Sequence, residues 1–261
     1  SKKITSKIMK KKIALVTGGA GFIGSHMVDL LLKKNIKVRV VDNLSGGHLS
    51  NLEQHKKNPL LSFENKDINK IHNKKLFADI SYVFHFAGIG DIVPSIEDPI
   101  RYMETNVQGT INLLNLSRYA NLQKFVYAAS SSCYGFAKTP TKETYNISPQ
   151  YPYALSKYLG ENCCMHWSKV YNLPSISLRI FNAYGPRVRT TGAYGAVFGV
   201  FFKQKLSNKP LTIVGNGRQK RDFIYVTDIA NAFYKAAVSK NKSDIYNLGT
   251  GQPKNIRYLA S

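Results

Sequence analysis

The sequence is poor in cysteine, tryptophan and acid, and it has no long apolar run. Its three cysteines, Cys133 and the adjacent pair Cys163 and Cys164, have neither the number nor the spacing of a disulfide framework or a zinc site. The chain is therefore expected to hold no metal and to work in a reducing cytoplasm. No apolar stretch reaches the roughly 18 residues needed to cross a bilayer; Ala193 to Phe202 comes nearest. A soluble protein without a membrane partner is expected. Ile13 to Thr17 is too short for the apolar part of a signal peptide, so secretion is not expected.

Acid is scarce: 15 Asp and Glu stand against 37 Lys and Arg, a net charge of +22. Such a balance can signal nucleic acid. Here the excess is mostly lysine spread along the chain, with one dense cluster at Lys2, Lys3, Lys7, Lys10, Lys11 and Lys12. Scattered lysine makes a solvated surface rather than a binding stripe, so no nucleic-acid partner is expected. A positive field would instead steer dianionic substrates. Residues 1–10 are expected to be a disordered basic leader.

The organising stretch is Val16-Thr17-Gly18-Gly19-Ala20-Gly21-Phe22-Ile23-Gly24. An apolar run precedes it and an amphipathic pattern follows, which reads as strand, tight turn and helix. Gly18 allows a backbone that a Cβ would forbid, Gly21 lets the chain approach a pyrophosphate, and Gly24 lets helix lie close on strand. The helix then presents free N–H groups and a positive dipole end to phosphates. A second run, Lys37 to Val41, ends at Asp42, where a dinucleotide fold places its ribose-binding carboxylate. A carboxylate there accepts both ribose hydroxyls and repels a 2′-phosphate, which predicts NAD rather than NADP.

The rest of the chain keeps the rhythm. A helix is expected near Leu49 to Lys57, and strands over Leu60–Glu64, Tyr82–Phe86 and Phe125–Ala129. Asp67 and Ile68 lie just beyond the third strand, in position for the adenine. Ala87 and Gly88 follow the fourth and let backbone approach the cofactor. A long helix from Pro99 to Ala120 carries Asn106, and Ser130-Ser131-Ser132 ends the fifth strand. Alternating strands and helices predict an α/β fold with a doubly wound parallel sheet, whose ligands sit at the carboxyl ends of the strands. His85, finishing an apolar strand, is read as a core residue. A helix from Pro152 carries Tyr153 and Lys157, which share one face at i, i+4. With hydroxyls at Ser130 and a dinucleotide turn at the first strand, these make a proton-transfer site beside a hydride acceptor.

The glycine turn, Asp42-Asn43, Ala128–Gly135, Tyr153–Lys157 and Leu178–Pro186 together resemble the extended short-chain dehydrogenase/reductase family of nucleotide-sugar epimerases and dehydratases. The likeness runs from about residue 11 to the end. It implies a Rossmann domain over 11–175, with contributions from later residues, and a smaller substrate-binding part over 176–261. It adds Phe22, Ile23, Asn43, Phe86, Asn106 and Phe181 to the cofactor contacts, with Tyr153 and Lys157. It implies Ser130 as the catalytic hydroxyl, Ser131 as a helper, Tyr153 as proton acceptor and Lys157 as a ribose-binding residue that, together with the positive nicotinamide ring, lowers the tyrosine's pKa. Substrate contacts implied are Ser130, Tyr153, Asn182, Ala196, Val197, Thr212, Val214 and Arg221, the arginine gripping the diphosphate as a fork.

The family usually continues for several tens of residues beyond the Tyr246–Gly251 strand, whereas this chain stops at Ser261. A C-terminal truncation is expected, and sugar specificity is not readable. The dehydratases of the family carry an Asp-Glu pair where Ser131 and Ser132 stand, and the decarboxylases keep the glutamate. Hydroxyls cannot replace those acids near neutral pH, so the resemblance implies an NAD-dependent 4-epimerase of UDP-hexose or UDP-N-acetylhexosamine, acting as a homodimer. Dehydration, keto-sugar reduction and a non-catalytic NAD-binding role stay open beside it.

Overall fold

The computed structural model describes residues 12–189, 197–213 and 215–260. Apolar Ile13–Thr17 forms strand β1, the glycine turn reverses the chain, and Phe22–Lys33 forms helix α1. The remaining strands are β2 (Lys37–Asp42), β3 (Leu61–Asn65), β4 (Ile80–His85), β5 (Lys124–Ser130), β6 (Ser175–Ile180), β7 (Asn182–Tyr184), β8 (Lys220–Arg221), β9 (Phe223–Tyr225), β10 (Ser243–Leu248) and β11 (Lys254–Asn255). Helices α2 (Ile92–Glu97), α3 (Pro99–Met103), α4 (Gly109–Ser117), α5 (Pro152–Tyr171), α6 (Val197–Leu206), α7 (Val226–Val238) and α8 (Ile256–Ala260) fall between and after them.

Seven strands form one parallel sheet in the order β10-β6-β5-β4-β1-β2-β3. The central strands β1, β4, β5 and β6 are buried on both faces, which explains why Leu15, Val16, Val83, Phe84, Phe125 and Val126 run together without polar alternation. Neighbouring residues still face opposite layers. Ala14, Val16, Val126 and Ala128 pack with Met27, Leu31 and Phe233 of α1 and α7, while Leu15, Val83, Phe125 and Tyr127 pack with Leu113 and Cys164 of α4 and α5. Burying each such side chain contributes about 1.5–3 kcal/mol. The winding changes direction at β1, which lies between β4 and β2, and this opens a crevice at the carboxyl ends of β1 and β4.

Three details differ from the sequence expectations. Leu49–His55 is a 3₁₀ helix, not an α-helix. The expected helix from Pro99 to Ala120 ends at Ser117, and Glu104–Gln108 within it adopts π geometry. Thr212 and Ile213, which the family resemblance implies lie on a strand near the base of the nucleotide, are outside any strand, because Thr212 is tied through backbone and hydroxyl to Gln204 of α6. Later residues also contribute to the large sheet and its helical layer, through β6, α7 and β10.

All three cysteines are free. Among the described residues no helix is long and apolar enough to cross a membrane, and no group of three His, Cys, Asp or Glu side chains could hold a metal. The basic leader lies outside the described residues.

Candidate active site

The glycine turn is built for a close approach. Gly18 has φ +68°, and a Cβ there would lie 2.6 Å from the Ala87 amide nitrogen. A Cβ at Gly24 would collide with the Gly18 carbonyl, so α1 can rest against the turn only with glycine at that position. Gly21 is the N-cap of α1, and no side chain caps the N-terminus that begins with Phe22 and Ile23. Its amides are thus left to a ligand or to water. Asp42, almost wholly buried, accepts the Ala20 N–H at 3.0 Å through one oxygen and the Leu44 N–H at 2.8 Å through the other. It ties the glycine turn to the loop after β2 and keeps lone pairs for ribose hydroxyls.

Beyond these strands the expected contacts divide. Asn43 donates to Asp67 at 3.0 Å, which joins the loops after β2 and β3 across the crevice. Ile68 is buried against Gly109 of α4, and the Phe86 ring packs on Phe233 at 4.5 Å. Both therefore offer backbone rather than side chain to the crevice, as does Ala87. Gly88 is exposed, and a Cβ there would lie 2.8 Å from the Asn106 Oδ1.

Asn106 is buried and committed to protein partners. Its Oδ1 accepts the Ile89 N–H, and its Nδ2 donates to the Ile89 carbonyl and the Ser156 Oγ, each at 2.9 Å. The side chain thus holds the Gly88-Ile89 loop against α5 instead of standing open to the cofactor, and the π turn around it supplies the bend. His85 is a core residue linked to the same turn. Its Nδ1 lies 2.7 Å from the Thr17 hydroxyl and its Nε2 2.9 Å from the Thr110 hydroxyl, which itself donates to the Asn106 carbonyl. Burial, reinforced by the Lys157 charge, lowers its pKa to about 3.

Proline at the start of α5 fixes the first turn, and the i, i+4 spacing then puts Tyr153 and Lys157 on the face toward β5. Ser130 lies near enough to Tyr153 to favour ionisation of its phenol. Ser130 also caps the 3₁₀ turn Ser131–Tyr134: it accepts the Ser132 N–H at 3.2 Å and lies 2.8 Å from the Ser132 hydroxyl. Ser131 follows it, half-buried. Lys157 is buried with its Nζ 4.6 Å from the centre of the Tyr127 ring, and the Tyr127 hydroxyl donates to the Lys157 carbonyl at 3.2 Å.

The Lys157 share of the expected lowering of the Tyr153 pKa is not what this geometry produces. Burial raises the Tyr153 pKa, with Asp91 and Cys133 adding to the rise and Ser130 opposing it; Lys157 is not among the causes. The ammonium is itself disfavoured by burial, its pKa lowered to about 8, and the Tyr127 face takes up its charge.

The later residues form a second group. Asn182 donates from Nδ2 to the Asp222 carbonyl at 3.0 Å, and Phe181 is half-buried beside Gly249. Val197 begins α6. Thr212 is exposed and held by Gln204, and Arg221 is exposed on β8 with one guanidinium nitrogen on the Lys220 carbonyl at 2.9 Å. Ala196 and Val214 lie outside the described residues.

Sequence reasoning missed several neighbours of Tyr153 and Lys157. Tyr102 meets Tyr153 edge to face with ring centres 6.4 Å apart. Asp91 follows Gly90, whose added Cβ would lie 3.9 Å from Tyr153 Cε2. Neither carries a local signal. Glu161 does, since it stands four residues beyond Lys157 on the same helical face. It forms a buried ion pair with Arg179, which also donates to the Tyr134 hydroxyl at 2.6 Å.

Comparison with known proteins gives the same picture at larger scale. Residues 14–249 match the model of the NAD dependent epimerase/dehydratase family. A Methanocaldococcus jannaschii protein, named provisionally as a UDP-glucose 4-epimerase, is 39% identical over 249 residues, 94% of this chain and 79% of its own length. A UDP-N-acetyl-alpha-D-glucosaminuronate decarboxylase of Bacillus cytotoxicus is 34% identical over 96% of this chain and 78% of its own. The UDP-N-acetylglucosamine 4-epimerase of Methanobrevibacter ruminantium, solved with UDP-N-acetylmuramic acid, superposes with a TM-score of 0.92 at 35% identity, over 96% of this chain and 80% of that one. The UDP-glucuronic acid 4-epimerase of Bacillus cereus, solved with UDP-glucuronic acid and NAD, gives 0.86 at 33% identity, over 94% and 80%.

Proposed function

The chain belongs to the NAD-dependent epimerase/dehydratase family, and on that premise we propose that it inverts C4 of a UDP-linked hexose or N-acetylhexosamine. NAD is the cofactor. The crevice fits it: the glycine turn leaves no room for a Cβ at Gly18 or Gly24, no side chain caps α1, and Asp42 closes the end of β2. Gly18 to Ile23 would hold the pyrophosphate, Asp42 the adenosine ribose, and the Gly88 backbone with Lys157 the nicotinamide ribose. Bound NAD supplies a reversible hydride acceptor at the sugar C4 and, on its oxidised ring, a positive charge that favours the Tyr153 phenolate.

The single observation that carries the reading is the meeting of Ser130, at the carboxyl end of β5, with Tyr153 near the start of α5, where the serine bears on the ionisation of the phenol, and with Lys157 one turn further along α5. In this reading Tyr153 takes the proton of the sugar 4-hydroxyl and later returns it. Ser130 aligns that hydroxyl, and Ser131 stands beside it. Dehydration needs a further acid and base, and Ser131 and Ser132 supply hydroxyls that stay neutral. Asn182, Val197, Thr212 and Arg221 form the nucleotide side, with Arg221 on the diphosphate. Two copies pair through the outer face of α5, where Leu155 and Val170 are exposed.

The test is a panel of UDP-hexoses, UDP-N-acetylhexosamines and UDP-uronates offered to the NAD-loaded protein, with products identified by NMR. The C4 epimer is expected, with no 4-keto-6-deoxy sugar. A C6 methyl signal growing as substrate disappears would overturn the assignment.

A further inference from the structure

We propose that Asp91, paired with Arg189 at the mouth of the site, selects neutral sugars over sugars that carry a carboxylate on C6. This rests on the C4-epimerase reading and extends it to the substrate class.

Asp91 lies on the loop that leaves the carboxyl end of β4 and runs along Tyr153. Gly88 faces Lys157, with an added Cβ 3.7 Å from Nζ, Gly90 faces the Tyr153 ring, and Asp91 comes next. The residue has neighbours on two sides. It lies beside Tyr102, whose ionisation it influences and whose ring meets that of Tyr153, and its Oδ2 accepts from Arg189 NH1 at 3.2 Å. A structural role as a helix cap does not account for the carboxylate. Asp91 is the N-cap residue of α2, yet its side chain makes no capping bond. Its negative charge reaches Tyr153, whose ionisation it opposes.

The chemistry follows from the connectivity of a hexopyranose. C6 hangs from C5, the ring carbon next to C4, so a group that meets Tyr153 through O4 brings its C6 substituent into the same neighbourhood. A carboxylate there meets Asp91 as a like charge. Asp91 also occupies Arg189, a guanidinium that could otherwise grip that carboxylate as a fork. A hydroxymethyl group suffers neither penalty. Related enzymes act on both classes, as the glucuronic-acid epimerase shows, so selection has to come from side chains such as these.

The experiment measures binding of UDP-glucose and UDP-glucuronate to the full, NAD-loaded chain by calorimetry, for the unmodified protein, Asp91→Asn, and Asp91→Asn combined with Arg189→Gln. The unmodified protein should bind UDP-glucose at least about tenfold tighter, equal to about 1.4 kcal/mol. Asp91→Asn should narrow that ratio about tenfold or more, and the double variant should restore part of it by removing the freed arginine. Equal affinities in the unmodified protein, or an unchanged ratio in Asp91→Asn, would overturn the proposal. If Asp91→Asn does not fold, the ratio in the unmodified protein is followed from low to high salt. It should shrink as the half-exposed charges are screened, and a flat ratio counts against the proposal. Each titration is made in a Tyr153→Phe background, where turnover should vanish while NAD stays bound, so binding is read without turnover and failure here is separate from failure of the C4-epimerase assignment.

Discussion

Glu161 on α5 and Arg179 on β6 form an ion pair of 2.7 Å, with side-chain exposures of 1% and 4%. The guanidinium Nε also reaches both Glu161 oxygens, Ser177 donates to the same carboxylate at 2.8 Å, and Arg179 continues to the Tyr134 hydroxyl and the Glu143 carbonyl. Tyr134 in turn donates to Asn247 on β10 at 2.7 Å. The network joins the helix that carries Tyr153 and Lys157 to the turn that follows Ser130. Bonds to Glu161 and Tyr134 outweigh burial and raise the Arg179 pKa, so the arginine stays charged.

Removing one member of a buried pair leaves the other charge without compensation. Glu161→Gln should therefore cost about 3–5 kcal/mol of stability, read by urea unfolding. Arg179→Lys should lose much of the same amount, because a point charge cannot reach carboxylate and Tyr134 together. A loss below about 1 kcal/mol in Glu161→Gln would place the pair among weak surface bridges.

Tyr153→Phe keeps the ring against Tyr102 and deletes the proton acceptor. Turnover should vanish while NAD stays bound, as seen by absorbance of the purified protein. Lys157→Met has a different signature. The folded pKa of about 8 lies below the unfolded value of about 10.5, so the buried ammonium opposes folding below pH 8, and this penalty fades between pH 8 and 10.5. The methionine variant of the NAD-free protein should thus melt higher than the unmodified chain at pH 7, and the gap should close toward pH 10.5. A gap independent of pH would show that folding does not shift the lysine's pKa, and that burial does not disfavour its charge.

Asp42 should make NAD bind far better than NADP, since its charge would face the added phosphate. Asp42→Asn should narrow that preference. It should also cost about 0.5–1.5 kcal/mol of stability, because one amide oxygen cannot serve the Ala20 and Leu44 N–H groups in the same way. Calorimetric titration with both cofactors checks the first claim, and tighter NADP binding by the unmodified protein would refute it.

His85 makes the fold acid-sensitive. Thr110 already donates to the Asn106 carbonyl, so His85 must donate from Nε2 and accept the Thr17 hydroxyl at Nδ1, a pattern that only neutral imidazole offers. With a folded pKa of about 3 and an unfolded value of about 6.5, stability falls as pH drops below 6.5, by about 2 kcal/mol at pH 5. His85→Gln should flatten that limb of the stability profile between pH 6.5 and 4. An unchanged slope would mean that other groups set the acid limit.

Local chemistry made much of this protein readable in advance. The glycine turn, the carboxylate at the end of β2, the alternating strands and helices, and the Tyr153/Lys157 spacing depend on backbone sterics and helical periodicity, which act over a few residues. The i+8 position of Glu161 belongs to the same class, though periodicity does not name its partner. Tertiary structure decided the rest. Asp91 and Arg189 meet across 98 positions of chain, and Tyr102 reaches Tyr153 from a different helix. The Ile68 and Phe86 side chains turn into the core because α4 and α7 cover the sheet there. Thr212 leaves the strand pattern because Gln204 takes its backbone and hydroxyl. The Lys157 share of the expected effect on Tyr153 is missing for the same reason: spacing brings a lysine near a phenol, but burial, the Tyr127 face and the Asp91 charge set what that proximity does, and these exist only once the chain is folded.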